Sequence, residues 1–230
     1  IVTIFVNPKQ FNNPEDLANY PRTEEEDARK LDRFDVDALW VPDGDQMYTE
    51  SFSTTVSVDG LTDVMEGSYR PGHFDGVATV VTKLFTQTSA TDAFFGEKDY
   101  QQLLVVRRMA YDLDIPITVH GCPTIRDSDG LALSSRNLLL SDRARTLAPR
   151  MHEEMQQIVE GLNAGSSFSE LRDVASQRLI KSGFIDVDYL ELRAQSDLSQ
   201  LSAPDQPARL FAAAWLAGVR LIDNVPVLSA

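Results

Sequence analysis

Cysteine is nearly absent: Cys122 is the only one in 230 residues. No disulfide can form within the chain, and a reducing, cytoplasmic setting fits best. Following a strand, Cys122 reads as a small buried apolar residue rather than a reactive thiol. Positive charge is also scarce, with 21 Lys and Arg against 35 Asp and Glu and a net charge of −14. That balance argues against a nucleic-acid surface, and any anion site must be built locally against the field of the whole molecule. No apolar run nears membrane-spanning length, and no signal peptide is visible. Neither G-x-G-x-x-G nor G-x-x-x-x-G-K-[ST] occurs, which removes two common phosphate cradles. His73 and His120 have no Cys or His at a zinc spacing, and no G-x-S-x-G elbow supports Ser134 or Ser135 as a nucleophile.

What is present is ordinary for a globular protein: 43% hydrophobic and 24% charged residues, enough chain for one large or two small domains. Residues 1–6 and 38–41 read as buried strands, and residues 54–58 alternate like a more exposed one. Asn7-Pro8-Lys9-Gln10-Phe11 leaves the first strand with two side-chain amides available for a ligand. Thr23 and Glu26 form a capping-box pattern for the helix that follows. Residues 66–74 form a glycine-punctuated loop, after which Val77, Val80, Val81, Leu84 and Phe85 mark one apolar helix face. A strand at 93–95, a helix over about 100–113 and a strand at 117–120 complete an α/β pattern with a mostly parallel sheet. The pattern then changes. Ser141 caps a helical run kinked at Pro149, a second helix starts at Ser169 and stops at Gly183, Val187, Tyr189 and Leu190 mark a strand, and residues 209–215 and 219–222 pair as an antiparallel hairpin. The expectation is a doubly wound, Rossmann-like domain over residues 1–124 and a small α+β domain over residues 125–230.

Two stretches carry chemistry. In Phe94-Phe95-Gly96-Glu97-Lys98-Asp99-Tyr100-Gln101-Gln102, a buried strand ends at Gly96 and Asp99 stands as helix N-cap. Glu97, Lys98 and Asp99 then lie where open α/β sheets bind ligands, with Lys98 as a mobile charge for phosphate. A solvated, self-paired loop accounts for these residues equally well on this stretch alone. Ser134-Ser135-Arg136-Asn137 offers hydroxyls, a guanidinium and an amide suited to polyphosphate, although alone it reads first as a polar interdomain turn.

The ordered set formed by these two stretches with Asn7-Pro8-Lys9-Gln10-Phe11, Tyr20-Pro21-Arg22-Thr23, Glu66-Gly67 and Arg70-Pro71-Gly72-His73-Phe74 is more specific than any member. It resembles the pantothenate synthetase (pantoate–β-alanine ligase) family, essentially from end to end. The resemblance implies an ATP-dependent ligase of the nucleotidyltransferase superfamily that adenylates pantoate and passes it to β-alanine. It implies that Gln10 and Gln102 hold pantoate, that Gly96, Glu97, Lys98 and Asp99 contact the nucleotide, and that Ile125 meets adenine through its backbone. Leu133, Ser134, Ser135 and Arg136 match a mobile phosphate-gripping loop in which the family commonly has Met at the position of Leu133. Lys98, Ser134 and Arg136 are thus the implied catalytic groups. ATP and Mg2+ are the implied cofactors and a homodimer the implied assembly, with no nucleic-acid or membrane partner. The metal ligands are not identified; Glu26 and Asp27 match only by loose analogy. The family's first strand, with an H-x-G-H-type turn, would precede Ile1, so the 230 residues alone are expected to be unstable and inactive. The alternatives are a non-catalytic fragment that binds pantoate or nucleotide, and a ligase that adenylates a different acid.

Overall fold

The computed structural model describes residues 1–227. Its contacts divide into two compact units, the first comprising Ile1–Ala93 and Val105–Val119, the second Phe94–Leu104 and His120 onward.

The first unit begins with β1 (Val2–Thr3), followed by a 3-10 turn at Pro8–Gln10, α1 (Pro14–Asn19), α2 (Glu24–Leu31), β2 (Leu39–Trp40), α3 (Gly44–Met47), α4 (Glu66–Tyr69) and α5 (His73–Thr88). β1 and β2 pair in parallel, Val2 opposite Leu39 and Thr3 opposite Trp40. The expected long buried strands are therefore only two residues each, and neither is buried. The periodicity of α5 is realised, because Val77, Val80, Val81 and Phe85 are buried. Three expectations are corrected. Residues 54–58 form no strand; the Val56 N–H donates instead to Thr79 Oγ1 at 2.9 Å. Residues 66–74 are mostly helical, holding α4 and the start of α5. Thr23 makes no cap bond, since its hydroxyl donates to Asp27 Oδ2 at 2.9 Å within the first turn of α2. The reciprocal arrangement occurs one helix later, where Gln46 Oε1 accepts from the Asp43 N–H.

β3 (Asp92–Gly96) pairs with β4 (Thr118–Cys122), and between them lie a 3-10 turn at Glu97–Asp99 and α6 (Tyr100–Asp112). Asp99 is thus inside the 3-10 turn that runs into α6 and is not a helix N-cap. Nor is β3 fully buried: Phe94 is 70% exposed and stacks on His120, ring centroids 4.9 Å apart.

The second unit continues through a 3-10 turn (Ser135–Leu139), α7 (Asp142–Leu147), α8 (Arg150–Asn163), α9 (Phe168–Ser182), β5 (Asp186–Ala194), β6 (Ala208–Leu216) and β7 (Val219–Val227). Ser141 caps α7 as expected, and Pro149 ends the run outright, so that two helices replace one kinked one. The three strands form an antiparallel sheet in the order β5-β6-β7. The β6–β7 turn places Ala217 and Gly218 at positive φ, the geometry of a tight hairpin turn. Met151, Met155 and Ile158 of α8 and Leu179 of α9 share one apolar core with Leu210, Ala212 and Val225 of the sheet.

A close approach fixes the first unit's 3-10 turn at Pro8–Gln10. A Cβ on Gly76 would stand 2.4 Å from Lys9 O and 2.7 Å from Gln10 N, so the 3-10 turn rests directly on the first turn of α5. Gly76→Ala is therefore expected to lower the unfolding free energy by about 1–3 kcal/mol, as overpacking does. Gly44→Ala, where a Cβ meets nothing within 4 Å, should stay within about 0.5 kcal/mol of wild type in the same urea titration.

Candidate active site

In the second unit the Gly96–Asp99 turn is held from β6 and β7. The Asn224 side-chain Nδ2 donates to Glu97 O at 2.9 Å and to Lys98 O at 2.8 Å. Asn224 Oδ1 accepts from Arg209 Nη1, and Arg209 Nη2 donates to Glu97 Oε2 at 2.9 Å. The Arg209 guanidinium also lies 4.1 Å from the ring centroid of Tyr100, whose hydroxyl donates to Gln195 O. Arg209 and Asn224 are 5% and 2% exposed. Lys98 makes a looser ion pair, its Nζ 3.8 Å from Asp99 Oδ1. The Asp99 side chain is half exposed, and Gln102 is partly buried beside the buried Gln101.

The second predicted stretch is anchored to the same strand. Arg126 grips Asp223 with two bonds, Nη1 to Oδ2 at 2.6 Å and Nη2 to Oδ1 at 2.9 Å, and also donates to Gly130 O and Asn224 O. Ile125 O accepts from the Leu133 N–H at 2.9 Å, Arg126 bridges to Ala132, and Leu131 is buried in the core. The Ile125 and Leu133 side chains are exposed. Ser134 caps the 3-10 turn that holds Ser135 and Arg136, and Asn137 Nδ2 donates to Ala132 O at 3.0 Å. The 130–137 segment thus carries hydrogen bonds of its own.

In the first unit the Gln10 backbone carbonyl accepts from Arg70 Nη2 and contacts His73 Nδ1 at 2.8 Å. Of the two amides expected to face a ligand, Asn7 is 2% exposed and fully engaged. Its Nδ2 donates to Gly76 O and Gln10 Oε1, and its Oδ1 accepts from the Lys9 N–H and the Tyr48 hydroxyl. Burial pushes the Tyr48 hydroxyl up to about 12, so it stays a donor to Asn7 throughout the physiological range. Glu26 and Asp27 each pair with Lys30, at 3.0 and 3.1 Å. Among the described residues no three His, Cys, Asp or Glu side chains converge on a metal position.

Both phosphate-type stretches thus lie in one unit, joined by a buried polar network. The family model for pantoate–β-alanine ligase matches residues 1–226. The chain belongs to the pantoate–β-alanine ligase family. It is 70% identical to the pantothenate synthetase of Roseobacter denitrificans over 227 residues, 99% of this chain and 80% of that protein. With the enzyme of Ruegeria pomeroyi the identity is 63% over the same coverage. Pantothenate synthetase from Thermus thermophilus superposes with a TM-score of 0.93 at 44% identity, covering 99% of this chain and 83% of that one. A Francisella tularensis pantoate–β-alanine ligase, complexed with β,γ-ATP and β-alanine, gives 0.83 at 33% identity over 100% and 79%. The α/β class expected from the sequence and the amide-forming ligase class both stand.

Sequence reasoning named Lys98, Ser134 and Arg136 but passed over the residues behind them: Arg209, Asp223 and Asn224. A signal was present. Arg209 opens the apolar run Arg-Leu-Phe-Ala-Ala-Ala-Trp, and Asp223-Asn224 interrupts the opposing strand. Charged residues at such positions are buried only when paired.

Burial alone would push the Asp223 carboxyl up, but the His152 ring, 3.5 Å from Oδ2, and the Arg126 guanidinium outweigh it and hold the carboxyl below its ordinary value. The folded state therefore binds this proton more weakly than the unfolded chain. The resulting stabilisation is complete above the unfolded carboxylate pKa and is lost as pH falls through the lower folded one. Asp223→Asn is expected to cost about 3 kcal/mol at pH 7 by leaving Arg126 without its charge partner. In urea titrations the gap between variant and wild type should narrow from pH 5 towards pH 2; a constant gap would show that the Asp223 charge contributes nothing.

Proposed function

We infer that this protein joins pantoate to β-alanine at the expense of ATP, through a pantoyl-adenylate. The observation that carries the reading is the joint anchoring of the Gly96–Asp99 turn and the 130–137 segment on β7, in a chain that matches the ligase family from residue 1 to 226. In the first step a pantoate carboxylate oxygen attacks the α-phosphorus and pyrophosphate leaves. Negative charge accumulates on crowded phosphate oxygens, so catalysis consists of positioning and charge neutralisation. Lys98, Ser134 and Arg136 supply that neutralisation. Gly96, Glu97, Asp99, Ile125, Leu133 and Ser135 line the nucleotide. Gln10 and Gln102 bind pantoate, the first with its Oε1 turned to Asn7 so that its NH2 faces the acid. In the second step an uncharged β-alanine amine displaces AMP, and orientation within a closed site that excludes water is sufficient.

Mg2+ adds charge neutralisation on the phosphate oxygens. Among the described residues no carboxylate cluster would hold the ion, which would supply its charge to the nucleotide's phosphates. Within this reading the enzyme works as a cytoplasmic homodimer.

Purified protein should exchange labelled pyrophosphate into ATP only when pantoate is present, and should release AMP and form pantothenate only when β-alanine is added. Exchange supported equally by unrelated hydroxy acids would favour a different acid-adenylating ligase, and none at all in a folded protein would leave a binding module. Lys98→Ala is expected to slow exchange on the order of a hundredfold. Its stability should change by no more than about 1 kcal/mol, because the Lys98–Asp99 pair is long and its Asp99 end is half-exposed. Gln10→Ala and Gln102→Ala should each raise the KM for pantoate and leave that for ATP nearly unchanged; separate effects on different substrates would break the pairing of the two glutamines.

A further inference from the structure

The C-terminal hairpin does more than close an apolar core. Alternate residues of a strand leave opposite faces of the sheet. On one face of the β5–β6–β7 sheet, Leu210, Ala212 and Val225 join the core built by α8 and α9. Asp223 pairs with Ala212 in the β6–β7 register and belongs to that face; it meets His152 of α8 and Arg126. Asn224 pairs with Phe211 and belongs to the other, where Arg209, Phe211 and Tyr100 lie. Two consecutive residues therefore reach two different segments. Asn224 holds the backbone of residues 97 and 98, and Asp223, through Arg126, holds the carbonyl of Gly130 at the head of the 130–137 segment.

The Asn224 amide has a single workable orientation. A guanidinium only donates and a carbonyl only accepts, so Oδ1 must face Arg209 and the NH2 must face Glu97 O and Lys98 O. Arg209 is fixed in turn by Glu97 and by the Tyr100 ring. Arg209 Nε alone among the donors of this cluster lacks a hydrogen-bond partner, and the remaining bonds leave its buried groups less mobile than a group gripping substrate needs to be. They hold the protein, and the protein holds the nucleotide.

We propose that Asp223 and Asn224 are paired positioning residues for adenylation, Asn224 setting the Lys98 turn and Asp223 setting the 130–137 segment, so that one strand fixes the spacing of the two phosphate-binding elements. The proposal rests on the ligase reading for its kinetic consequence but not for its structural one. Asn224→Asp keeps the shape and replaces the shared donor with an acceptor facing two carbonyls. Asp223→Asn keeps the shape and removes the charge that Arg126 grips.

The test combines hydrogen exchange with steady-state kinetics on the whole protein. Asn224→Asp should speed exchange at residues 97–100 about tenfold and leave 130–137 close to wild type, and Asp223→Asn should do the reverse. Both should raise the KM for ATP about tenfold, with the KM for β-alanine unchanged, as losses of supporting hydrogen bonds do elsewhere. Should Asn224→Asp fail to fold, Glu97→Gln at the partly exposed end of the same network carries the first arm, with a smaller change at the same amides. Exchange that rises equally in both segments in either variant, or a loss shared evenly by all substrates, would reduce the pair to ordinary core residues and overturn the proposal. Segment-specific exchange in a protein that performs no pantoate-dependent pyrophosphate exchange would uphold the positioning and sink the ligase reading instead.

Discussion

The second unit depends on a single constraint: a three-stranded sheet has two faces, and here one mixes Arg209 and Asn224 with Phe211 and Trp215 while the other is packed into the apolar core. α8 and α9 cover that face with Met151, Met155, Ile158 and Leu179, and the cooperative burial of these side chains makes the sheet rigid. The other face can then carry Arg209 and Asn224, because their backbone is already immobilised by strand pairing on both sides of β6. A buried guanidinium is costly unless every donor direction is answered by an acceptor or a ring face. Glu97, Asn224 and Tyr100 provide most of those answers, and Glu97 and Tyr100 flank Lys98 in sequence. Satisfying the buried charge and fixing the turn that carries Lys98 are therefore one event.

The first unit solves a related problem with less material. Its strands are two residues long and offer little scaffold. The turn that carries Gln10 is instead fixed by contact with α5, where Gly76 lets backbone meet backbone, and by Asn7, whose amide bonds to Gly76, Gln10, Lys9 and Tyr48 together. Of the two amides expected to meet a ligand, Asn7 is the one that holds its neighbour Gln10 in place.

What could be read from the sequence follows from how local each signal is. The apolar face of α5, the cap of α7, the stop at Gly183 and the hairpin of β6 and β7 are written within a few residues, and each was legible. Lys98, Ser134 and Arg136 stood out as candidates only as part of an ordered set of motifs, and no single motif singled them out. Residues 54–58 alternate like a strand but find their partner in a helix side chain, Thr79, which no local pattern announces. The Thr23 box failed because Asp27, one turn on, competes for the same hydroxyl. The Arg209–Glu97 and Asn224–Lys98 contacts span more than a hundred residues, and no local pattern in the chain links such distant positions.

The distribution of charge separates residues that brace from residues that bind. With a net charge of −14, the protein gains nothing for an anion from its overall field, so each cation must act at short range. A guanidinium already locked to a carboxylate presents little net charge to phosphate. Arg126 is bidentate to Asp223, Arg209 is bound to Glu97, and Arg145 bridges Asp127 and Asp129 at 2.8 and 2.6 Å. By residue type alone all three suit a phosphate site, yet each is neutralised within the protein. Lys98 is different: its nearest recorded carboxylate oxygen is 3.8 Å away, beyond hydrogen-bonding distance, while its backbone is pinned by Asn224. A fixed backbone under a loosely paired ammonium can deliver charge to a defined place without first breaking a strong ion pair, and in this Lys98 differs from the three arginines.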